Sequence, residues 1–487
     1  MTTFASWLVL FVVSLPIVGL LSAVSFLARR EDRGEVATAC VRFGMLATFV
    51  ASLLLVAVLA GAFGSQLDHA VWRMGTAWEL SGPRPLRIEW AWRADALAAC
   101  WAAALSGLAW LTMSSARRDD RGTPCVALAV TAGMLHVATV ALVLSAGLVQ
   151  LLFCWGAISL ATWLMVGWAS TTDAASRAIR RTILTGLATE GLLILAVLLM
   201  SVTSGSTVID DVLSADGLAR LGQRNPALPG FLGCLLVLSV LGRSGLFPCF
   251  GWHHGAAAWD GAVWSMIYLV GYVPSAVWLL FRFQPLLAAS DVSLPMLGGL
   301  STLGAVLGAF VACGQAEPRS ARGFLVTAQI GVVFAALSSG LFDVQTLRAA
   351  WLGDAEAAPR AADVGRVILA QLAVIVGAVV VRRTSRAKSE SPVGAAWYQP
   401  LAQLSRQRLY IDDVTQIVVA GPLRIWMQLA QFIERLLTDG LFPSLAIRLP
   451  DWFGHQFESL QVGRLEFDLA TALLGVATIL LTLILVT

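Results

Sequence analysis

Long apolar runs punctuated by arginine constrain this chain more than any other feature. Stretches near 4–28, 38–63, 93–114, 124–143, 145–169, 180–203, 229–249, 262–283, 294–313, 322–342, 364–381 and 467–486 each approach the roughly 20 residues that a helix needs to cross a bilayer. Of all residues, 58% are hydrophobic and only 13% are charged, which no soluble globular domain requires. The pattern predicts an all-α polytopic membrane protein of about twelve transmembrane helices. The first run lacks a basic leader and a small-residue cleavage site before Arg29, so it reads as a retained helix rather than a signal peptide.

Arginines set the orientation. Arg29, Arg30 and Arg33 follow the first run, Arg117, Arg118 and Arg121 the third, and Arg177, Arg180 and Arg181 the fifth. Arg319 and Arg322 lead into the tenth run, and Arg382, Arg383, Arg386 and Lys388 follow the eleventh. All fall on one side, which the positive-inside rule makes cytoplasmic, with both termini facing the other side. Tryptophans near run ends, such as Trp7, Trp92, Trp110, Trp168 and Trp264, suit an interfacial belt.

Gly242 to Trp264 reads GRSGLFPCFGWHHGAAAWDGAVW and interrupts this regularity. Pro248 removes a backbone donor and crowds the preceding turn, so a broken helix is expected near 242–250. Irregular backbone at membrane depth is tolerated only where protein or water covers it, and a charge beside such a break points to an ion path. Arg243 is that charge. Glu190 lies about ten residues into the sixth run, at a depth like that of Arg243, and pairing would offset the cost of a mid-bilayer charge, about 2.5–3.5 kcal/mol. The pair is either part of a half-channel or a structural ion pair. His136 in the fourth run and His253 and His254 beyond the break are further relay candidates. A hydrogen-bonded packing role for His136 and a solvated-loop role for the other two stand beside that reading.

The composition also excludes chemistry. The seven cysteines, Cys40, Cys100, Cys125, Cys154, Cys234, Cys249 and Cys313, form no CxxC or Cys/His spacing, so no metal, haem or iron–sulfur site is expected. No glycine-rich phosphate loop is present, and no cofactor is expected. The net charge of +3 forms no nucleic-acid patch.

Residues 389–466 differ in kind. Ile411, Val414, Val418, Ile425, Leu429, Phe432 and Leu436 recur at helical spacing, with polar residues of both signs on the remaining faces. That is the pattern of an amphipathic helix near 410–460 lying on a surface, its mixed charge favouring a protein bed over lipid headgroups. The expected organisation is a transmembrane bundle over 1–383, a linker over 384–409, the lateral segment over 410–462 and a last transmembrane helix in 463–487.

Several passages resemble the proton-translocating and cation-antiporter family, in particular the chain-L, or subunit-5, type of complex I membrane subunit. RADALAA (Arg93 to Ala99) is similar to the opening of a family core helix, and the run Leu148 to Trp168 to a Trp-Glu-bearing one. RSARGFLVTAQIG (Arg319 to Gly331) resembles a motif ending in SQIG. Tyr410 to Leu441 and LQVGRLEFD (Leu460 to Asp468) resemble the tail peculiar to the chain-L type. The resemblance implies a relay of buried acids, lysines and histidines on broken helices, with the tail as a lateral helix along neighbouring subunits. Carried over residue by residue, the family glutamate after Trp falls at Gly156 and is missing, whereas a family acid is kept at Glu190. The family lysine becomes Arg243, and Tyr268 falls at a family histidine. The helices that carry a second family lysine have no counterpart between Gly331 and the tail. The leading expectation is a membrane-arm subunit of a complex I-like NADH:quinone oxidoreductase in the inner (cytoplasmic) membrane, with a degenerate proton path and no redox centre. Its partners would be other membrane subunits and the bilayer. Alternatives are a membrane subunit of an inorganic-carbon or cation uptake complex, and a structural scaffold without translocation.

Overall fold

In a computed structural model, most of residues 2–386 are described, apart from 29–33, 62–68, 81–85, 116–125, 170–172, 248–260, 316–317 and 340–360; of the tail only Gln403, Gln428 and Gln431 are. The chain divides into two units, residues 1–419 and 420–487. Apart from residues 384–386, which end a helix, and those three glutamines, the expected linker, lateral helix and last transmembrane helix lie outside the described residues, which belong almost wholly to the first unit.

Helix α1 (Thr2–Ala28) packs on α2 (Gly34–Leu59) through glycine. A Cβ added at Gly19 would stand 2.9 Å from the Cys40 carbonyl oxygen and 3.1 Å from Gly44 Cα, so the two backbones meet directly. Small residues allow this approach where no hydrophobic force drives helices together in lipid. An antiparallel hairpin, β1 (His69–Leu80) with β2 (Leu86–Asp95), follows and was not anticipated by the helical reading. The third run consequently begins its helix later than expected: α3 spans Ala96–Ser115. Asp95 stops the strand and caps that helix, its Oδ1 accepting from the Ala98 amide at 2.7 Å.

Beyond it come α4 (Val126–Val143), α5 (Leu148–Ala169), α6 (Asp173–Ser204), two short helices α7 (Ile209–Leu213) and α8 (Ala215–Arg224), and α9 (Leu228–Arg243). The axes of α8 and α9 turn through 108°. Helix α10 runs from Gly261 to Arg282 in three parts, Gly261–Met266, a π-helical turn Ile267–Tyr272, and Val273–Arg282. Pro274, just after the wide turn, lacks the amide that would bond back to Val270, which accounts for the local loosening. Helices α11 (Gln284–Ala288), α12 (Ser293–Gly314), α13 (Pro318–Ser338) and α14 (Ala361–Arg386) complete the described part.

Among the described residues, nine helices are long and apolar enough to cross a membrane, ten if the bent α8–α9 pair makes one span, and the apolar stretch Arg366–Val381 of α14 is shorter. The expected count of about twelve is not reached there, and the last run, 467–486, lies outside them. Helix α4 is the most enclosed of the nine, 78% of its apolar window being buried, and forms the centre around which the first helices assemble. Leu135, Leu142 and Trp155 are among the largest fully buried side chains.

One end of the bundle is stitched by backbone bonds. The Arg93 amide donates to Leu144 O at 2.8 Å and Ala146 N to Ala91 O at 3.2 Å, while Leu148 N donates to Thr207 O at 2.7 Å and Ile209 N to Ala146 O at 3.0 Å. Strand β2, the α4–α5 turn and the approach to α7 thus satisfy one another where helices end and amides would otherwise need water. In the alternation of spans this is the end opposite the arginine-rich connections.

Candidate functional site

Helix α9 ends at Arg243, ahead of Pro248. The Gly245 amide bonds Gly242 O at 3.1 Å and the Leu246 amide bonds Leu241 O at 3.0 Å. Gly245 adopts φ +66°. This is a Schellman stop, in which a left-handed glycine closes the last turn. The break expected from proline is therefore made by glycine within the described residues; Pro248, His253 and His254 lie outside them.

The stop leaves Arg243 on the last turn of α9 with its side chain turned into the bundle, the whole residue only 4% exposed. Three elements hold its guanidinium. Trp155 of α5 supplies both its carbonyl oxygen, 3.1 Å from Nη2, and its indole face, 3.8 Å from the guanidinium carbon. The ring of Tyr272, on the π-helical turn of α10, lies 4.7 Å away. Glu190 of α6 approaches with Oε1 4.0 Å from Nη1. Ser159 lies beside Glu190, and Ser159 and Thr162, nearly one turn apart on α5, lie beside Tyr272. Among the described residues, Glu190 Oε1, Arg243 Nε and Ser244 Oγ are buried without a hydrogen-bond partner. One wall is tied in place by Ser239 of α9, which donates to Thr189 O of α6 at 2.9 Å.

Arginine keeps its proton at any accessible pH and binds through a planar fork and face, both used here. A carboxylate a few ångströms off, in a region of low dielectric, has one oxygen that can take a proton. The arrangement can hold a fixed positive charge and let a neighbouring acid change its protonation.

The other expected residues are placed differently. His136 on α4, 1% exposed, has its Nε2 3.0 Å from Ser106 Oγ on α3. Among the described residues no hydrogen bond or ion pair joins it to Glu190 or Arg243. Tyr268 is also buried and stacks on Trp264, ring centroids 4.3 Å apart. It lies one turn before Tyr272, the tyrosine that reaches the arginine. Tyr272, Trp155, Ser159 and Thr162 escaped the sequence reading. The signals available were the aromatic directly before Gly156 and the Tyr-Val-Pro run that widens α10. At Gly156 an added Cβ would meet nothing within 4 Å, so the missing family carboxylate leaves room.

A second charged group gathers at the stitched end. Arg93 of β2 pairs with Asp210 of α7, and Arg282 at the end of α10 donates a hydrogen bond to Asp210 at 2.8 Å and forms an ion pair with Asp95 at 3.6 Å. Burial and the neighbouring Arg282 hold Arg93 below the usual arginine range, and Asp95 pulls it back up. Among the described residues no group of three or more His, Cys, Asp or Glu is placed to hold a metal.

Residues 145–349 match the family described as NADH:quinone oxidoreductase/Mrp antiporter, TM. The chain is 28% identical over 202 residues to the NAD(P)H-quinone oxidoreductase subunit 5, chloroplastic, of Zygnema circumcarinatum, covering 41% of this chain and 29% of that one. With the Nephroselmis olivacea protein of the same name it shares 25% identity over 303 residues, 58% of this chain and 46% of the relative. The matched part is thus less than half the length of these relatives. A chain in the structure of the Mrp complex from Dietzia sp. shares the fold, with a TM-score of 0.58 and 14% identity over 99% of this chain and 63% of that chain. The chain is a multi-pass membrane protein, and its matched segment is similar to these subunit-5 relatives.

Proposed function

We propose that the chain serves as a membrane-arm subunit of a complex I-like NADH:quinone oxidoreductase in the inner (cytoplasmic) membrane, beside other membrane subunits. It holds no redox centre, and its part lies in proton translocation through a reduced path. The observation that carries this reading is the Glu190–Arg243 pair, 4.0 Å apart at the end of a broken helix. Arg243 acts as a fixed cation that does not release its proton. Glu190 is the group that takes and gives one, through the oxygen that has no hydrogen-bond partner among the described residues. The Ser159 and Thr162 hydroxyls with Tyr272 lead from Glu190 along α5 toward the arginine-rich side, and His253 and His254, further along the sequence, are the candidates to admit protons to that route. Tyr268 and His136 lie outside it and act by packing. Residues 410–462, through their amphipathic pattern, brace neighbouring subunits.

The test is Glu190→Gln in the assembled complex, reconstituted in vesicles with a pH-sensitive dye inside. Assembly and quinone reduction are expected to persist while protons moved per electron fall. Unchanged proton movement would leave the pair as a structural ion pair.

A further inference from the structure

The last part of α10, Val273–Arg282, is a ten-residue rod that runs from the buried site to the stitched end of the bundle. Tyr272, just before it, lays its ring 4.7 Å from the Arg243 guanidinium carbon. Arg282 closes the far end, about 15 Å further on at the rise of an α-helix. Its side chain is 15% exposed and sits between two carboxylates. It donates to Asp210 of α7 at 2.8 Å and pairs at 3.6 Å with Asp95, the residue that caps α3.

Two features leave the rotation of this rod open. Ser275 to Leu280 are all buried, so the rod is enclosed all round and burial of apolar surface selects no face. On its inner side the rod joins the rest of α10 through the π-helical turn Ile267–Tyr272, and Pro274 offers no amide there. The ladder that would pass on the rotation of Gly261–Met266 is weakened at that junction. Directional contacts then have to set the angle. The rings of Trp278 and Phe281 meet Trp101 of α3 with centroids 6.1 and 6.0 Å apart, contacts that tolerate sliding. A guanidinium fork held between carboxylates from two other elements does not.

We propose that Arg282, gripped by Asp210 and Asp95, is a positioning residue: it fixes the rotation of the rod and thereby keeps the Tyr272 ring over Arg243. The outer charge cluster and the buried pair are two ends of one lever. Its consequence for proton movement rests on the Glu190 reading; the placement of Tyr272 does not.

Fluorine NMR of the full chain in lipid nanodiscs, with fluorotyrosine at its four tyrosines, tests the placement. Tyr272→Phe and Tyr268→Phe assign the two lines. Arg282→Gln is expected to move the Tyr272 line and leave that of Tyr268, which lies on the other side of the loosened junction, with Arg282→Lys restoring part of the shift. If Arg282→Gln does not fold, Asp210→Asn removes the shorter ion pair and is read the same way. An unmoved Tyr272 line, or equal movement of both lines, would overturn the proposal. In the assembled complex Arg282→Gln should lower protons moved per electron roughly three- to tenfold, and add nothing to the loss in a Tyr272→Phe background. Equal fold losses in both backgrounds would show that Arg282 does not act through Tyr272. Unchanged proton movement with Glu190→Gln would remove the proton reading while leaving the NMR result to decide the lever.

Discussion

Removing the positive charge at position 243 tests the physics of the buried site most directly. Arg243→Met deletes the hydrogen bond to Trp155 O, the contact with two aromatic faces and the counter-charge of Glu190. With unit charges 4.0 Å apart and an effective dielectric of about 20, the attraction is about 4 kcal/mol. The hydrogen bond to the charged group contributes about 1.5–3 kcal/mol, offset in large part by the cost of desolvating the guanidinium. Breaking one side of a buried pair costs about 3–5 kcal/mol in comparable cases, and that range is expected here. Glu190→Gln is milder, about 1–2 kcal/mol, because the arginine keeps the Trp155 carbonyl and both rings. The double variant leaves neither charge stranded and should cost no more than Arg243→Met alone, so the two sites couple by about 2 kcal/mol. Equilibrium unfolding of the four proteins in one detergent measures the cycle. Additive effects, within about 0.5 kcal/mol, would refute the claim that these charges sense each other.

Three further outcomes follow from packing and charge. Gly331→Ala should loosen α12 against α13 by about 1–3 kcal/mol, since its Cβ would fall 2.7 Å from Ser301 O and 2.9 Å from Ala305 N; a thermal-shift assay reads this, and an unchanged midpoint would contradict the close approach. Asp210→Asn cuts the links to Arg93 and Arg282, but these groups are partly exposed, so the loss should be no more than about 1 kcal/mol. The difference from wild type should shrink in 1 M salt, and a salt-independent loss would argue for a packing role instead. His136→Leu should cost about 1–3 kcal/mol by leaving the Ser106 hydroxyl unpaired, whereas His136→Gln should be nearly neutral in both stability and proton movement. A collapse of proton movement with His136→Gln would return His136 to the relay.

Particular residues show how far the sequence could be read. Apolar length located the described spans because it obeys a local rule: about twenty apolar residues are needed to cross lipid. Helix α9 ends in the expected window. Pro248 is the louder signal, while Gly245 makes the stop through a left-handed turn that only its hydrogen bonds reveal. The hairpin was missed because its strands, rich in Trp, Arg and Gly, lack clean alternation, and strand pairing is a contact between distant residues. Tyr268 was singled out by alignment to a family position, yet the π-helical turn brings Tyr272 to the arginine.

By itself, the order of residues determined that this is a membrane bundle and which family it resembles, because hydropathy acts along the chain. Only tertiary structure decided that Arg243 is clasped by Trp155 and Tyr272 and set against Glu190, that His136 turns to Ser106, and that Arg282 meets Asp210 and Asp95. Those outcomes depend on which faces of separate helices pack together, and helix rotation, glycine contacts and a widened turn are settled by the whole core at once.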